Sequence, residues 1–194
     1  MNDTRKKWDR IYQGTEGPPA HPCRVLVENE HLLPTGGTSL DLACGLGGSA
    51  LFLADREFES HAWDVSQVAI DRLTARATKL GLSLHGAVRD IVMEPPGESV
   101  FDVIVVSHFL DRGIVPALIA ALRPGGLIFY QTFTRHRVLG GGPQNDDFRL
   151  ADNELLRLFA GLRLLIYREE GIQGDTAKGL RDEAMIVAQQ RTAS

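Results

Sequence analysis

The run Phe101-Asp-Val-Ile-Val-Val-Ser107 is apolar at nearly every position and shows no polar–apolar alternation. Such a strand suits burial on both faces, which a parallel sheet covered by helices on each side provides. The neighbouring segments fit that architecture. Residues 38–43 form a short apolar run with one acid, ended by glycines, and 49–54 read as the helix that follows. Residues 59–65 form a second strand. Ser66 is a good N-cap for the next helix, which carries Val68, Ala69, Leu73, Ala77 and Leu80 on one side. Asp71, Arg72, Arg76 and Lys79 lie on the other, and Gly81 stands where a helix stop belongs. A third strand covers 82–88, a helix covers 114–122 up to Pro124-Gly-Gly126, and a fifth strand covers 127–132. This alternation predicts an α/β fold: a doubly wound, mostly parallel sheet with helices on both faces.

The flanks differ from this core. Residues 1–35 read as an N-terminal helical cap or lid: a short helix bearing Trp8, Ile11 and Tyr12, a Gly/Pro-rich turn over 14–22, and a second helix from near Pro22 to Leu33. After Phe133 comes a loop rich in Gly and Arg, then a helix over 152–159 with Asp152 as its expected cap. Two apolar strand-like runs follow, 162–167 and 183–188, with no full helix between them. They predict an antiparallel pair at the sheet edge, for seven strands in all. The chain thus reads as one domain over 1–194, with a cap (1–35), a ligand-binding core (36–133), and a substrate loop with antiparallel C-terminal strands (134–194).

Composition narrows the function. A net charge of -4 argues against holding nucleic acid by an overall basic field. Cys23 and Cys44 have no zinc-like or disulfide-framework spacing, and the six histidines are scattered, so no metal site is expected. The polar start and the absence of a long apolar run predict neither a signal peptide nor a membrane span, and make the cytoplasm the expected compartment. Oligomeric state is not legible.

Open parallel sheets bind ligands outside the carboxyl ends of their strands. The first strand ends in Leu40-Asp-Leu-Ala-Cys-Gly-Leu-Gly-Gly48, whose glycines allow a tight turn, and the N–H groups of the next helix point at whatever lies there. Gly45-x-Gly47-x-x-Ala50 fits the dinucleotide pattern G-x-G-x-x-G/A, and Asp64 lies 19 residues beyond Gly45, near where a ribose-binding acid belongs. Asp41 tells against a dinucleotide. A carboxylate four residues before the first glycine would face a pyrophosphate, but it suits a sulfonium and an α-ammonium.

Leu40-Asp-Leu-Ala-Cys-Gly-Leu-Gly47 resembles the first motif of Rossmann-like (class I) S-adenosylmethionine-dependent methyltransferases, with Ala43 in place of the usual first glycine. Trp63-Asp-Val-Ser66, Arg89-Asp-Ile91, Phe101 to His108 and Leu122-Arg-Pro-Gly-Gly-Leu-Ile128 resemble the later motifs, in order. The resemblance implies S-adenosylmethionine as cofactor. It implies that Asp64, beside Val65, takes the ribose hydroxyls, and that Asp90, between Arg89 and Ile91, meets the adenine amino group. Ala43, Cys44, Gly45, Gly47 and Ser107 complete the cofactor set. Trp8-Asp-Arg-Ile-Tyr12 and Phe148-Arg-Leu-x-x-x-Glu154-Leu are similar to small bacterial enzymes of the tellurite-resistance and thiopurine methyltransferase type. That likeness implies an N-terminal helix over the cofactor, with Trp8 and Tyr12 as lid residues, and soft nucleophiles (S, Se, Te) as acceptors.

Methyl transfer is an in-line displacement in which a protein base is optional. His108, at the end of the fourth strand, is the candidate catalytic residue, with a satisfied histidine near adenine as the alternative. Asp111 and Arg112 beside it could simply begin a helix. Arg135, His136, Arg137, Arg149 and Arg181 form a second group, of which the first three follow the fifth strand. Their forks suit oxyanions, so Arg135, Arg137, Arg149 and Arg181 are candidate ligands of an anionic small-molecule substrate, a solvated loop being the alternative. No Asn/Asp-Pro-Pro-Tyr/Phe stretch follows the fourth strand, which argues against methylation of nucleic-acid bases. Two other classes stay open: a nicotinamide-dependent oxidoreductase and a non-catalytic binding module.

Overall fold

The computed structural model describes residues 2–14 and 21–192 and forms a seven-stranded sheet. The elements are α1 (Asn2–Gln13), α2 (Arg24–Glu28), β1 (Gly37–Leu42), α3 (Gly48–Ala54), β2 (Phe58–Asp64), α4 (Gln67–Leu80) and β3 (Leu84–Val88). They continue with β4 (Phe101–Ser107), α5 (Val115–Ala121), β5 (Leu122–Phe133), α6 (Glu154–Leu158), β6 (Arg163–Glu169) and β7 (Glu183–Gln189). The strand order is β3-β2-β1-β4-β5-β7-β6. β1 to β5 are parallel, and β7 runs antiparallel to both β5 and β6. The expected antiparallel pair thus forms at the edge, with the reversed strand on its inner side.

Each strand of the parallel core is apolar for a visible reason. Val103 to Val106 of β4 are fully buried, alternately facing two cores. One core packs Leu40, Ile104, Val106 and Tyr130 under α5 and α6. The other packs Val103, Val105, Phe129 and Val187 beneath α2 and α3. The crossover from β3 to β4 contains no helix, so Trp63 is covered there by Arg89, whose guanidinium lies 4.1 Å from the ring centroid.

Helix boundaries follow local polar chemistry. Ser66 Oγ accepts from the Ala69 N–H at 3.2 Å, and Gly81 ends α4 in the left-handed region, as read from the sequence. The helix expected over 22–33 instead breaks into α2 and a 3₁₀ turn at Glu30–Leu32. Asn29 stops it: its side-chain amide donates to the Val25 carbonyl at 2.9 Å. Asp152 does not cap the late helix, which begins after Asn153. Its carboxylate turns to His136, and Glu154 reaches back to the Ala151 N–H at 2.7 Å in its place. Of the Gly/Pro-rich turn expected over 14–22, residues 15–20 lie outside the described residues. Among the described residues no helix is long and apolar enough to cross a membrane.

The loop after β5 is stapled from inside. Asp182 accepts from the N–H groups of Val138, Leu139 and Gly141. Arg149 is fully buried and donates to the carbonyls of Thr134, Gly141 and Pro143.

Gly47 joins turn to helix. Its φ is +72°, and an added Cβ would run into the Leu73 methyls of α4. Backbone strain and overpacking together predict that Gly47→Ala costs about 2–4 kcal/mol, read as a fall in the urea unfolding midpoint.

Candidate active site

A cavity of about 730 Å³ opens at the carboxyl ends of the parallel strands, between the sheet and α1. Its floor is the turn after β1. Asp64, the last residue of β2, accepts from the Gly45 N–H at 2.8 Å and from the Ser66 N–H at 2.9 Å. One carboxylate therefore ties the turn to the start of α4. Asp41 lies within β1, faces the same cavity, and accepts from the Ala50 N–H of α3 at 2.9 Å. Both acids are buried, and among the described residues neither has a cationic partner within ion-pair distance. Burial pushes the Asp41 carboxyl up to about 8 against the pull of its hydrogen bond, and raises Asp64 as well. Two buried acids with no counter-charge facing one cavity fit a cationic ligand.

The cofactor candidates converge. Ala43, Cys44, Gly45, Val65, Arg89, Asp90 and Ile91 line the cavity with Asp41, Asp64 and Ser107. Gly47 stands behind them, supporting the turn from α4. Ala43 adopts φ +55°, the conformation for which a glycine at this motif position is suited. Asp90 Oδ1 holds the Val92 and Met93 N–H groups. Burial raises the Cys44 thiol well above its ordinary value, which leaves it an inert filler rather than a nucleophile.

α1 forms one wall through Thr4, Trp8 and Tyr12. Trp8 and Tyr12 stack at 5.7 Å, and the Tyr12 hydroxyl lies where a Cβ on Gly45 would come within 2.8 Å. The helix is fastened to α4: Asp9 accepts from Ser66 Oγ at 2.5 Å, and Arg72 donates to the Tyr12 carbonyl at 2.5 Å. The Ser66 hydrogen bond chiefly holds the Asp9 carboxyl below its usual range.

His108 lines the cavity beside Ser107, Phe109 and Gln131. Its φ is +56°, its N–H donates to the Gln131 carbonyl at 2.9 Å, and its ring stacks on Phe133 at 4.8 Å. Nε2 lies 2.9 Å from Glu183 Oε1 and Nδ1 lies 3.1 Å from Ser107 Oγ. Sequence reasoning missed Glu183; it also missed His21, Pro22, Cys23 and Arg24, which line the cavity. The signal for Glu183 was a lone acid opening an apolar strand.

The four candidate substrate arginines are not brought together. Arg135, Arg137, Arg149 and Arg181 all lie outside the cavity wall. Arg137 pairs with Asp146, and Arg181 donates to the carbonyls of Gly171, Asp175 and Lys178. Arg149 is the loop's internal staple, and the Arg135 side chain is exposed to solvent. Three of the four guanidinium groups are engaged by the loop's own acceptors, so they are structural cations. Arg112 belongs with them: it pairs with Glu154 at 2.6 Å.

A family described as "Methyltransferase domain" matches residues 40–126. A ubiquinone biosynthesis O-methyltransferase of Methylocella silvestris is 31% identical over 160 residues, covering 72% of this chain and 62% of that protein. The matched part spans only 45% to 62% of the curated relatives. Among solved structures, a protein from work on the conversion of a disulfide bond into a thioacetal group during echinomycin biosynthesis superposes with TM-score 0.74 at 22% identity, covering 98% of this chain and 94% of that one. TehB from Haemophilus influenzae superposes with TM-score 0.70 at 21% identity, covering 96% and 67%. At those identities the structures share the fold. Motif order, sheet order and the methyltransferase-domain match agree: the chain has the fold of the class I, Rossmann-like S-adenosylmethionine-dependent methyltransferases and is similar to them in sequence over its core.

Two expectations follow. An unfolded Asp41 ionises near pH ~3.9, and the folded one near 8. Between those values the folded chain holds a proton that the unfolded chain has lost, so the ligand-free protein loses stability as pH rises toward 8. Denaturation from pH 5 to 9 will show that slope, and Asp41→Asn will flatten it. Arg149→Ala will destabilise by about 3 kcal/mol or more, from three lost charge-assisted bonds, while calorimetry finds S-adenosylmethionine affinity unchanged.

Proposed function

We propose that this chain is an enzyme that transfers the methyl group of S-adenosylmethionine to a nucleophilic atom of a small molecule. The observation that carries the reading is the pair of buried acids, Asp41 and Asp64, which face the cavity without a cationic partner among the described residues. They suit a sulfonium and an α-ammonium and would repel a pyrophosphate, which disfavours the nicotinamide alternative. When bound, the cofactor supplies an electrophilic methyl group on a sulfonium. The chain's own residues hold and orient. Asp64 keeps lone pairs for the ribose hydroxyls while fixing the turn through Gly45. Asp90 stands where adenine would lie. Trp8 and Tyr12 cover the site and exclude water.

The cap (1–35), the core (36–133) and the region after it (134–194) act as one domain in this reading. The acceptor enters on the side lined by His21, Arg24, His108 and Phe109. Of the anionic and soft-atom acceptors, the anionic one loses the four loop arginines as its support. Arg24 takes their place at the cavity wall, though Glu28 already neutralises it at 2.5 Å.

Calorimetry with S-adenosylmethionine, its demethylated product and NADH tests the cofactor half. The first two bind and NADH does not, and Asp64→Ala weakens S-adenosylmethionine by at least about tenfold, the loss of one charge-assisted hydrogen bond. Binding of NADH alone would overturn the reading. Transfer of a radiolabelled methyl group to members of a metabolite panel separates an enzyme from a binding module.

A further inference from the structure

We propose that Ser107, His108 and Glu183 form a proton relay on the acceptor side of the cavity, and that the methyl acceptor is therefore a hydroxyl or thiol that still carries its proton. The inference rests on the methyl-transfer reading above and names its acceptor class.

The geometry fixes the direction of proton flow. A carboxylate only accepts, so at 2.9 Å from Glu183 Oε1 the proton of His108 sits on Nε2. That leaves Nδ1 as the basic nitrogen, and the group facing it is Ser107 Oγ at 3.1 Å. Ser107 and His108 both line the cavity. Glu183 is itself held from a third side. Gln131 Nε2 donates to its second oxygen, and Gln131 Oε1 accepts from the Val25 N–H at 2.7 Å. Burial pushes the Glu183 carboxyl up, but the hydrogen bonds and charge of His108, with help from Gln131 and the more distant Arg24, bring it below its ordinary range. The base is thus backed by a standing negative charge. The imidazole is also held rigidly, stacked on Phe133 and carried by a backbone at φ +56°. A left-handed conformation at a non-glycine residue persists where the surroundings over-determine it, and such residues cluster at functional sites.

A neutral amine, a π-bonded carbon or a soft anion attacks a methyl group without first losing a proton. A hydroxyl or thiol does not do so readily near neutrality, and it is for such acceptors that a built base has a use. In the step, the acceptor X–H gives its proton to Ser107 Oγ as Oγ passes its own to His108 Nδ1. The X–C bond forms while the C–S bond breaks, and that electron pair stays on sulfur. Glu183 steadies the resulting imidazolium, whose half-exposed ring returns the proton to water. Ser107 and His108 are the catalytic residues here, and Glu183 is a positioning residue.

The test runs the full chain with radiolabelled S-adenosylmethionine against phenols and thiophenols of graded acidity, aliphatic alcohols and thiols, primary amines, iodide and thiocyanate. The expected result is turnover of hydroxyl or thiol acceptors. His108→Ala should lower kcat by about 100-fold or more. Glu183→Gln should lower it by at least about tenfold, as the acid behind a histidine base does. KM and cofactor affinity should hold, Glu183→Asp should recover part of the rate, and both losses should shrink as the acceptor becomes more acidic. Turnover of amines or halide-like anions alone, losses independent of acceptor acidity, or no turnover at all would overturn the proposal. Calorimetry on the same samples shows whether the cofactor reading fell with it. Should Glu183→Gln fail to fold, ¹⁵N spectra of histidine-labelled wild-type chain decide: Nε2–H at His108 supports the relay, and Nδ1–H sinks it.

Discussion

The site depends on two carboxylates placed where carboxylates are costly. Asp41 and Asp64 sit at the ends of β1 and β2, inside an apolar sheet, and between them fasten three backbone N–H groups, those of Gly45, Ser66 and Ala50. Those bonds set the turn, the first residue before α4 and the first turn of α3. Desolvation disfavours both charges, and among the described residues no basic side chain within ion-pair distance offsets it. Two carboxyls whose charged forms are disfavoured by burial thus face the cavity, where a cationic ligand would relieve them. A cationic ligand there would favour the charged forms of both acids, so its affinity and the stability of the chain would be linked through the same two groups.

α1 is attached through the same residues. Ser66, whose N–H is fixed by Asp64, accepts from the Ala69 N–H and donates its hydroxyl to Asp9 of α1. Asp9 also accepts from the Val68 N–H, so it acts as an additional cap on α4 supplied from another helix. α1 is short and its outer face is exposed, with Trp8 37% accessible even while stacked on Tyr12. Few buried apolar contacts hold it down. Its docking is mostly polar, through Asp9 at the α4 N-terminus and Arg72 one turn further on.

The sequence was most readable where burial dictates residue type. β4, the turn after β1 and α4 follow from apolar runs, glycine punctuation and a capping serine, and each stands within a residue or two of its expected bounds. Asp41 was legible because a carboxylate inside an otherwise apolar strand end has few structural uses; Asp64 was picked out by its spacing from Gly45 and by resemblance to the later methyltransferase motifs, and Asp90 by that resemblance alone. The arginines were not legible. Sequence places Arg137 and Arg149 after the right strand, but direction is set by acceptors that the chain order does not reveal: carbonyls exposed by the loop's own glycine turns. Arg149 satisfies three of them and becomes core. Asn29 shows the same limit at smaller scale. Its amide could stay in solvent or cap the preceding turn, and only the tertiary position of α2 decides.

Glu183 was the hardest to see, and topology explains why. Parallel strands present their carboxyl-terminal residues to the site, so Asp64, Ser107 and Phe133 are found by looking at strand ends. β7 runs the other way. Its first residue, Glu183, pairs in register with Phe133, the last residue of β5, and so arrives at the same rim from the opposite chain direction. An antiparallel strand inserted next to β5 thus delivers a strand-initial acid to a site otherwise built from strand-final residues. His108, with its left-handed backbone, meets it from the far side of β5 across a sequence separation of 75. The reversal of one strand is what lets a histidine from the cofactor half and a carboxylate from the C-terminal half share a proton.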